Sequence, residues 1–126
     1  MTTPRARLGA SGERMAADYL QQRGHRVIAT NVRRREGEID LVTIEGTGDR
    51  ETLVCVEVKL RRGSRLGTAV QALSPTRQRR MASLAEAFAA EHPELPQQLR
   101  VDLVAIDLAA DGRLLSIQHV PNAVEG

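Results

Sequence analysis

Two apolar runs in the middle of the chain, "EIDLVTI" (38–44) and "TLVCVEVKL" (52–60), constrain its fold more than any other feature. Both are dense in Val, Leu and Ile, and the intervening "EGTGDR" consists of turn formers, so the pair reads as a β-hairpin. Side chains alternate along a strand. A register pairing Asp40 with Glu57 therefore also pairs Val42 with Cys55 and Ile44 with Leu53. That face is apolar at the turn and charged at its far end, where Lys59 joins the two carboxylates. The other face sets Ile39, Leu41 and Thr43 against Val54, Val56 and Val58, and is almost entirely apolar. A slip of one residue would put Asp40 and Glu57 on opposite faces.

The rest of the chain supplies what such a hairpin needs. A helix is predicted from about Ser11 to Arg23, with Met15, Ala16, Tyr19 and Leu20 at helical spacing and Gly24 as its stop. "HRVIATNVR" reads as the first strand. Ser74 as N-cap and Pro75 at the first helical position open a second helix. Its stripe of Met81, Leu84, Ala85 and Phe88 faces a core, and His92-Pro93 ends it. "LRVDLVAI" and "LLSIQHV" are two further strands, and residues 62–73, with Gly63 and Gly67 as hinges, form a loop. The order is α-β-β-β-α-β-β, an α+β domain with a central mixed sheet flanked by helices. We expect a loose tail over 1–7, a single domain over 8–120 and a C-terminal tail over 121–126.

Composition narrows the function classes. The chain has 126 residues, enough for one domain with a real core. The opening residues lack the apolar stretch of a signal peptide, and no apolar run approaches membrane-spanning length, so a cytoplasmic protein without membrane contact is expected. Cys55 is the single cysteine and sits in an apolar run, which predicts a buried thiol. His25, His92 and His119 lack zinc-ligand spacing and read as structural or surface residues. Tyr19 and Phe88 are the only aromatics, which weighs against modules that stack single-stranded bases.

Charge is unevenly distributed. Seven acids and one base, Arg50, lie between Glu36 and Glu57; seven cations and no acid lie between Val58 and Ala85. The pattern suits a metal site beside a phosphate-binding surface; solvated faces of both signs would produce it too. Lys59 is the only lysine among 18 basic residues. Either it is one leftover cation on a half-exposed strand, or it acts as a compact point charge where a guanidinium would not fit. Asp40, Glu57 and Lys59 favour the second reading. Two carboxylates present hard oxygens to Mg²⁺ or Mn²⁺, and an ammonium beside the metal stabilises charge developing on a phosphoryl group. Glu13 is either a further site acid or a first-turn acid favoured by the helix dipole. Asp102 and Asp107 read as structural or surface residues, and Arg33, Arg34 and Arg35 as a solvated run.

"GEIDLV" (37–42), "VEVKLR" (56–61), "SPTRQRR" (74–80) and "RVDLVAI" (100–106), with the opening "GASGERMAADYLQQRG" (9–24), resemble the YraN-type bacterial proteins. That family is assigned to the restriction-endonuclease-like, PD-(D/E)XK nuclease superfamily. The resemblance covers roughly residues 8 to 108. It implies a restriction-endonuclease-like core, Asp40 and Glu57 as metal ligands, Lys59 as catalytic lysine, Glu13 as an additional acid and Gln78 as a helix glutamine of junction-resolving relatives. Ile39 stands where the superfamily motif has Pro, and Leu60 where relatives carry a small hydroxyl residue; we read Leu60 as packing on the opposite face. The implied activity is Mg²⁺- or Mn²⁺-dependent hydrolysis of DNA, structured or branched, such as a Holliday-junction-like substrate. A non-catalytic nucleic-acid-binding or assembly module is the alternative. Arg61, Arg62, Arg65, Arg77, Arg79 and Arg80 are the expected phosphate contacts. Nucleic acid, DNA before RNA, is the expected partner, and a homodimer is allowed for.

Overall fold

The hairpin forms in the expected register. In the computed structural model, which describes residues 4–63 and 73–124 with side chains from residue 11 onward, β2 (Gly37–Glu45) and β3 (Thr52–Arg62) run antiparallel, and Val42 pairs with Cys55 and Ile44 with Leu53. Gly46 closes β2 at φ +94°, and a Cβ there would lie 2.5 Å from the Arg50 carbonyl oxygen. Only glycine makes this turn.

The hairpin sits inside a five-stranded sheet of order β1-β2-β3-β4-β5, with β1 at His25–Arg34, β4 at Gln98–Leu108 and β5 at Leu114–Val120. β3 and β4 are parallel and every other neighbour is antiparallel. A parallel neighbour requires a long crossover, and α2 (Pro75–Glu91) lies in it. The Ser74 side chain accepts a hydrogen bond from the Arg77 backbone N–H, and Pro75 occupies the first turn. The predicted α-β-β-β-α-β order, with one more strand at the C-terminus, is the order observed.

Each sheet face has its own helix. α2 buries Met81, Leu84, Ala85 and Phe88 against Val42, Ile44, Leu53, Cys55 and Val101. α1 (Pro4–Gln22) buries Ala16 and Leu20 against Leu41, Val54, Val56, Val104 and Ile106. Leu60 packs with this α1 cluster, its side-chain carbons 3.6–3.7 Å from where a Gly12 Cβ would stand. Cys55 is buried, and burial pushes its thiol up to about 12, which makes it inert. Among the described residues no helix is long and apolar enough to cross a membrane.

Three expectations need correction. α1 begins at Pro4, not near Ser11; its apolar stripe starts only at Met15, so periodicity could not reveal the earlier turns. Residues 121–124, after β5, are pinned and not a tail: the Asn122 N–H bonds to Asp102, the Ala123 N–H bonds to the Val101 carbonyl, and Val124 is buried in the α2 core. Ile39 belongs to the α2-side core, although Leu41, two residues on, faces α1. The cause lies at Asp40, where regular pairing with β3 has ended.

A carboxylate cluster where two strands part

The β2–β3 ladder stops at Leu41–Val56. Beyond it, the Asp40 side chain takes over the backbone's role: Oδ2 accepts the Val58 N–H at 2.8 Å. On the other flank Asn31 of β1 sits in the left-handed region at φ 51°. Asn tolerates that conformation better than most residues, and its side chain hydrogen-bonds Glu13 of α1. The irregularity in both neighbours of Asp40 opens the sheet and admits side chains from α1 and from β2 itself.

Glu13, Glu38 and Asp40 meet there, each offering a carboxylate oxygen within 4.8 Å of the others. Sequence reasoning named Glu13 and Asp40 and missed Glu38. The signal existed, since Glu38 lies two residues before Asp40 and so shares its side of an extended strand. Glu13 is ten residues into α1, so it is not a first-turn acid. Burial, and then the neighbouring Glu57 charge, push Asp40 up to about 7, while the Val58 N–H pulls the other way. Burial also raises Glu13, against the Asn31 bond that lowers it. These are carboxylates short of positive charge.

Glu57 lines the same cleft, about 240 Å³ in volume, with Gly37, Glu38, Asp40, Arg77, Arg80, Met81 and Leu84. Its side chain is 4% exposed and faces α2, outside the Glu13–Glu38–Asp40 triplet. Arg77 holds it: Nε donates to Oε1 at 3.0 Å and Nη2 donates to the same oxygen. Gly37 lets the cleft floor approach α2, since a Cβ there would come within 3.2 Å of Leu84 Cδ1. Lys59 follows Glu57 on the same side of β3, half-buried and level with Ala105 of β4. Among the described residues it forms no ion pair.

The expected phosphate contacts separate into groups. Arg77 and Arg80 line the cleft. Arg61 is half-buried, and its Nε is buried without a hydrogen-bond partner among the described residues. Arg62 turns away and donates through Nε to the Ala110 carbonyl at 2.9 Å. Arg79 is exposed and bonds Thr76; with Gln78 it lines a different groove, beside Ser83, Glu86 and Val124. Gln78 donates its amide to the Leu73 carbonyl. Arg65 and Gly67 lie outside the described residues. Arg33 and Glu38 are paired across β1 and β2, so the exposed Arg33 adjoins the cluster.

Sequence reasoning also treated His25, Asp102 and His119 as unconnected. The structure gathers them on the α1 side of the sheet, with ligand-capable atoms within 4.8 Å of one another. His119 Nε2 lies 2.7 Å from Asp102 Oδ2, and Arg100 clasps Asp102 through Nε at 2.8 Å and Nη2 at 2.9 Å. Arg100 also reaches Glu45 at 2.8 Å, and His25 Nδ1 meets Thr43 Oγ1 at 2.7 Å. His25 Nε2 is 2.9 Å from Glu45 Oε2 but lacks hydrogen-bond alignment, so the two form an ion pair only when His25 is protonated. Nothing in the spacing 25, 102, 119 could have shown this.

Fold and cluster define a class: a small α+β domain with half-buried carboxylates at a break in its sheet, beside a basic first turn of a helix. The model of the "Uncharacterised protein family UPF0102" matches residues 12–106, and the chain belongs to that family. It is 45% identical over 108 residues to a UPF0102 protein of Symbiobacterium thermophilum, covering 86% of this chain and 88% of the relative. A UPF0102 protein of Roseiflexus castenholzii is 43% identical over 127 residues, covering 99% and 98%. The YraN-type resemblance is thereby borne out as a family assignment. The matched span contains Glu13, Glu38, Asp40, Glu57, Lys59 and Arg77.

Proposed function

We propose that this protein is a divalent-metal-dependent nuclease that hydrolyses phosphodiester bonds of DNA, with structured or branched DNA as the preferred substrate and the cytoplasm as its location. The observation that carries the reading is the convergence of Glu13, Glu38 and Asp40 within 4.8 Å, next to a cleft that also holds Glu57, Arg77 and Arg80. The fit to a cation rests on the donors. All are hard carboxylate oxygens, the kind Mg²⁺ and Mn²⁺ prefer, and burial followed by the neighbouring Glu57 charge pushes Asp40 up to about 7.

In this reading Asp40 and Glu57 hold the metal, with Glu13 and Glu38 beside them. The bound cation would acidify a water and offset charge on the phosphoryl oxygens. The protein's own groups do the rest. Val58 fixes the Asp40 carboxylate through its N–H, Lys59 brings an ammonium with no ion pair among the described residues to the Glu57 side of β3, and Arg77 and Arg80 present guanidinium groups to backbone phosphates. The aromatic-poor surface suits recognition of backbone and shape over base sequence. A non-catalytic nucleic-acid-binding module is the second reading, favoured by the Arg77–Glu57 pair, which occupies one of the two proposed metal-binding carboxylates.

The test is incubation of linear, flapped and four-way DNA with Mg²⁺ or Mn²⁺, alongside Asp40→Asn. We expect cleavage of at least one branched form by the parent protein and none by the variant. Equal products from both would assign the cleavage to a contaminant and overturn the proposal.

A further inference from the structure

We propose that Arg77 is a displaceable plug: it closes Glu57 in the free protein, and a backbone phosphate draws it off, so that metal and nucleic acid bind cooperatively. This rests on the metal-dependent reading above and adds a regulatory step to that site.

Four observations carry it. First, Glu57 has lost nearly all contact with solvent, and Arg77 is the group that compensates its charge. Both Arg77 nitrogens converge on Oε1, and among the described residues Oε2 receives no hydrogen bond. The ion pair therefore satisfies half of the carboxylate and leaves a guanidinium beside the other half. A divalent cation approaching Oε2 meets that positive charge at close range and must either displace it or bind weakly.

Second, Arg77 can leave. Its side chain is 43% exposed, and it belongs to the first turn of α2, whose backbone is secured independently by the Ser74 cap. Swinging the side chain outward breaks the two bonds to Glu57 and moves no backbone. Third, it has a destination. Arg80, three residues along the same helix face, lines the same cleft and is exposed. Residues three apart on a helix are neighbours, so a phosphate at Arg80 is within reach of Arg77. A phosphate offers a guanidinium the same paired geometry as a carboxylate.

Fourth, the surrounding charge requires a replacement. Once Arg77 leaves, Glu57 faces Asp40, Glu38 and Glu13 with no guanidinium on it, and burial forbids an uncompensated charge. Metal entry becomes favourable at the moment a phosphate arrives. By linkage, whatever factor nucleic acid adds to metal affinity, metal adds to nucleic-acid affinity. The free protein would then hold little metal and rarely assemble an active site without substrate.

The experiment measures Mn²⁺ binding by calorimetry on the full chain, with and without a phosphorothioate four-way DNA junction that resists cleavage. Parent protein, Arg77→Gln and Arg23→Gln are compared; Arg23 is exposed just after α1, donates to the Tyr19 hydroxyl and does not line the cleft, so it serves as the matched loss of one charge. We expect Arg77→Gln to bind Mn²⁺ about tenfold tighter than the parent without DNA, inside the roughly 5–150-fold span of coupled sites. Arg23→Gln should match the parent. The junction should raise Mn²⁺ affinity in the parent and raise it less in Arg77→Gln. If Arg77→Gln folds poorly, Arg77→Lys, which keeps a charge without the two-nitrogen fork, should show a smaller gain in the same direction. Mn²⁺ binding of equal strength in the parent and both Arg77 variants would overturn the plug and leave the metal site standing. Absence of Mn²⁺ binding in every protein, with and without the junction, would overturn the metal reading itself.

Discussion

Asp40 and Asp102 are the same residue type, both placed in strands of one sheet and both largely withdrawn from water, yet their surroundings differ in sign. Every oxygen of Asp102 is engaged: Oδ1 by Arg100 Nε and the Asn122 N–H, Oδ2 by Arg100 Nη2 and His119. Burial pushes its pKa up, but those bonds together hold it below the usual carboxylate range. Asp40 has one backbone N–H and three carboxylate neighbours, Glu57, Glu13 and Glu38, and is pushed up to about 7. The Asp102 network is complete in itself and also pins the C-terminal segment. In the proposed function, a cation is what completes the Asp40 cluster. Buried charges that satisfy one another support the fold, whereas like charges kept together against their own repulsion mark a place where something binds.

The largest effect expected from this contrast is on stability. Asp102→Ala strips partners from Arg100, His119 and the Asn122 N–H at once, and removing one member of a buried ion pair costs about 3–5 kcal/mol. Asp40→Asn removes a carboxylate from among carboxylates and should leave stability unchanged or raised. Urea denaturation of both variants measures this directly. Metal binding should show the reverse ranking, lost in Asp40→Asn and retained by folded Asp102→Ala. If the two variants were equally destabilised, the contrast between supporting and binding clusters would fail.

Next in size is a rate effect at Lys59. Its ammonium makes no ion pair among the described residues, unlike Arg77 and Arg100, whose guanidinium groups are committed to Glu57 and to Asp102 with Glu45. Lys59→Arg keeps the charge but introduces the same two-pronged group that already closes Glu57. We expect a folded protein with little change in DNA affinity and a loss of cleavage of about a hundredfold or more, as when one electrostatic stabiliser is removed. Single-turnover cleavage assays alongside DNA-binding titrations separate the two quantities. A Lys59→Arg protein cleaving as fast as its parent would reduce Lys59 to one more surface cation.

How much of this was legible in the sequence depends on whether the signal was local. The hairpin register could be read because Val42, Ile44, Leu53 and Cys55 alternate with a period of two, and the start of α2 because Ser74 and Pro75 are adjacent capping residues. Asp40, Glu57 and Lys59 stood out as charges within apolar strands. The Arg77–Glu57 pair was invisible, since it joins a helix to a strand through an angle set by core packing and not by spacing. The Asp102 network was further out of reach, because it assembles side chains from β1, β2, β4 and β5. The turn of the chain at Ile39 had no signal either; it depends on Asp40 taking the Val58 N–H, a side-chain bond that replaces a ladder bond.

The last expected effect, and the one that sets the two clusters directly against each other, is on the pH dependence of stability. Asp40 has a folded-state pKa near 7 against an ordinary 3.8, so the folded protein holds this proton more tightly than the unfolded chain. Its stabilising contribution is fully present below the unfolded value and is lost as pH rises through about 7. The other cluster has the opposite sign. Burial lowers His25, and its bonds hold Asp102 low, so the His25 contribution is complete above about 6.5 and the Asp102 contribution above about 3.8, each being lost as pH falls through the group's folded-state pKa. Between about pH 4 and 7 the acid cluster therefore loses stability with rising pH, while His25 gains it toward the top of that range. Asp40→Asn removes the first and keeps the second. Its stability relative to the parent should climb from pH 4 to 7 and level off above. Adding Mg²⁺ at pH 8 should return stability to the parent and do nothing for Asp40→Asn, since a metal binds the ionised carboxylate. Denaturation series at several pH values, with and without metal, give the full comparison. Parallel curves for parent and variant would mean that Asp40 ionises as freely as a surface carboxylate and that the strand break holds no excess of negative charge.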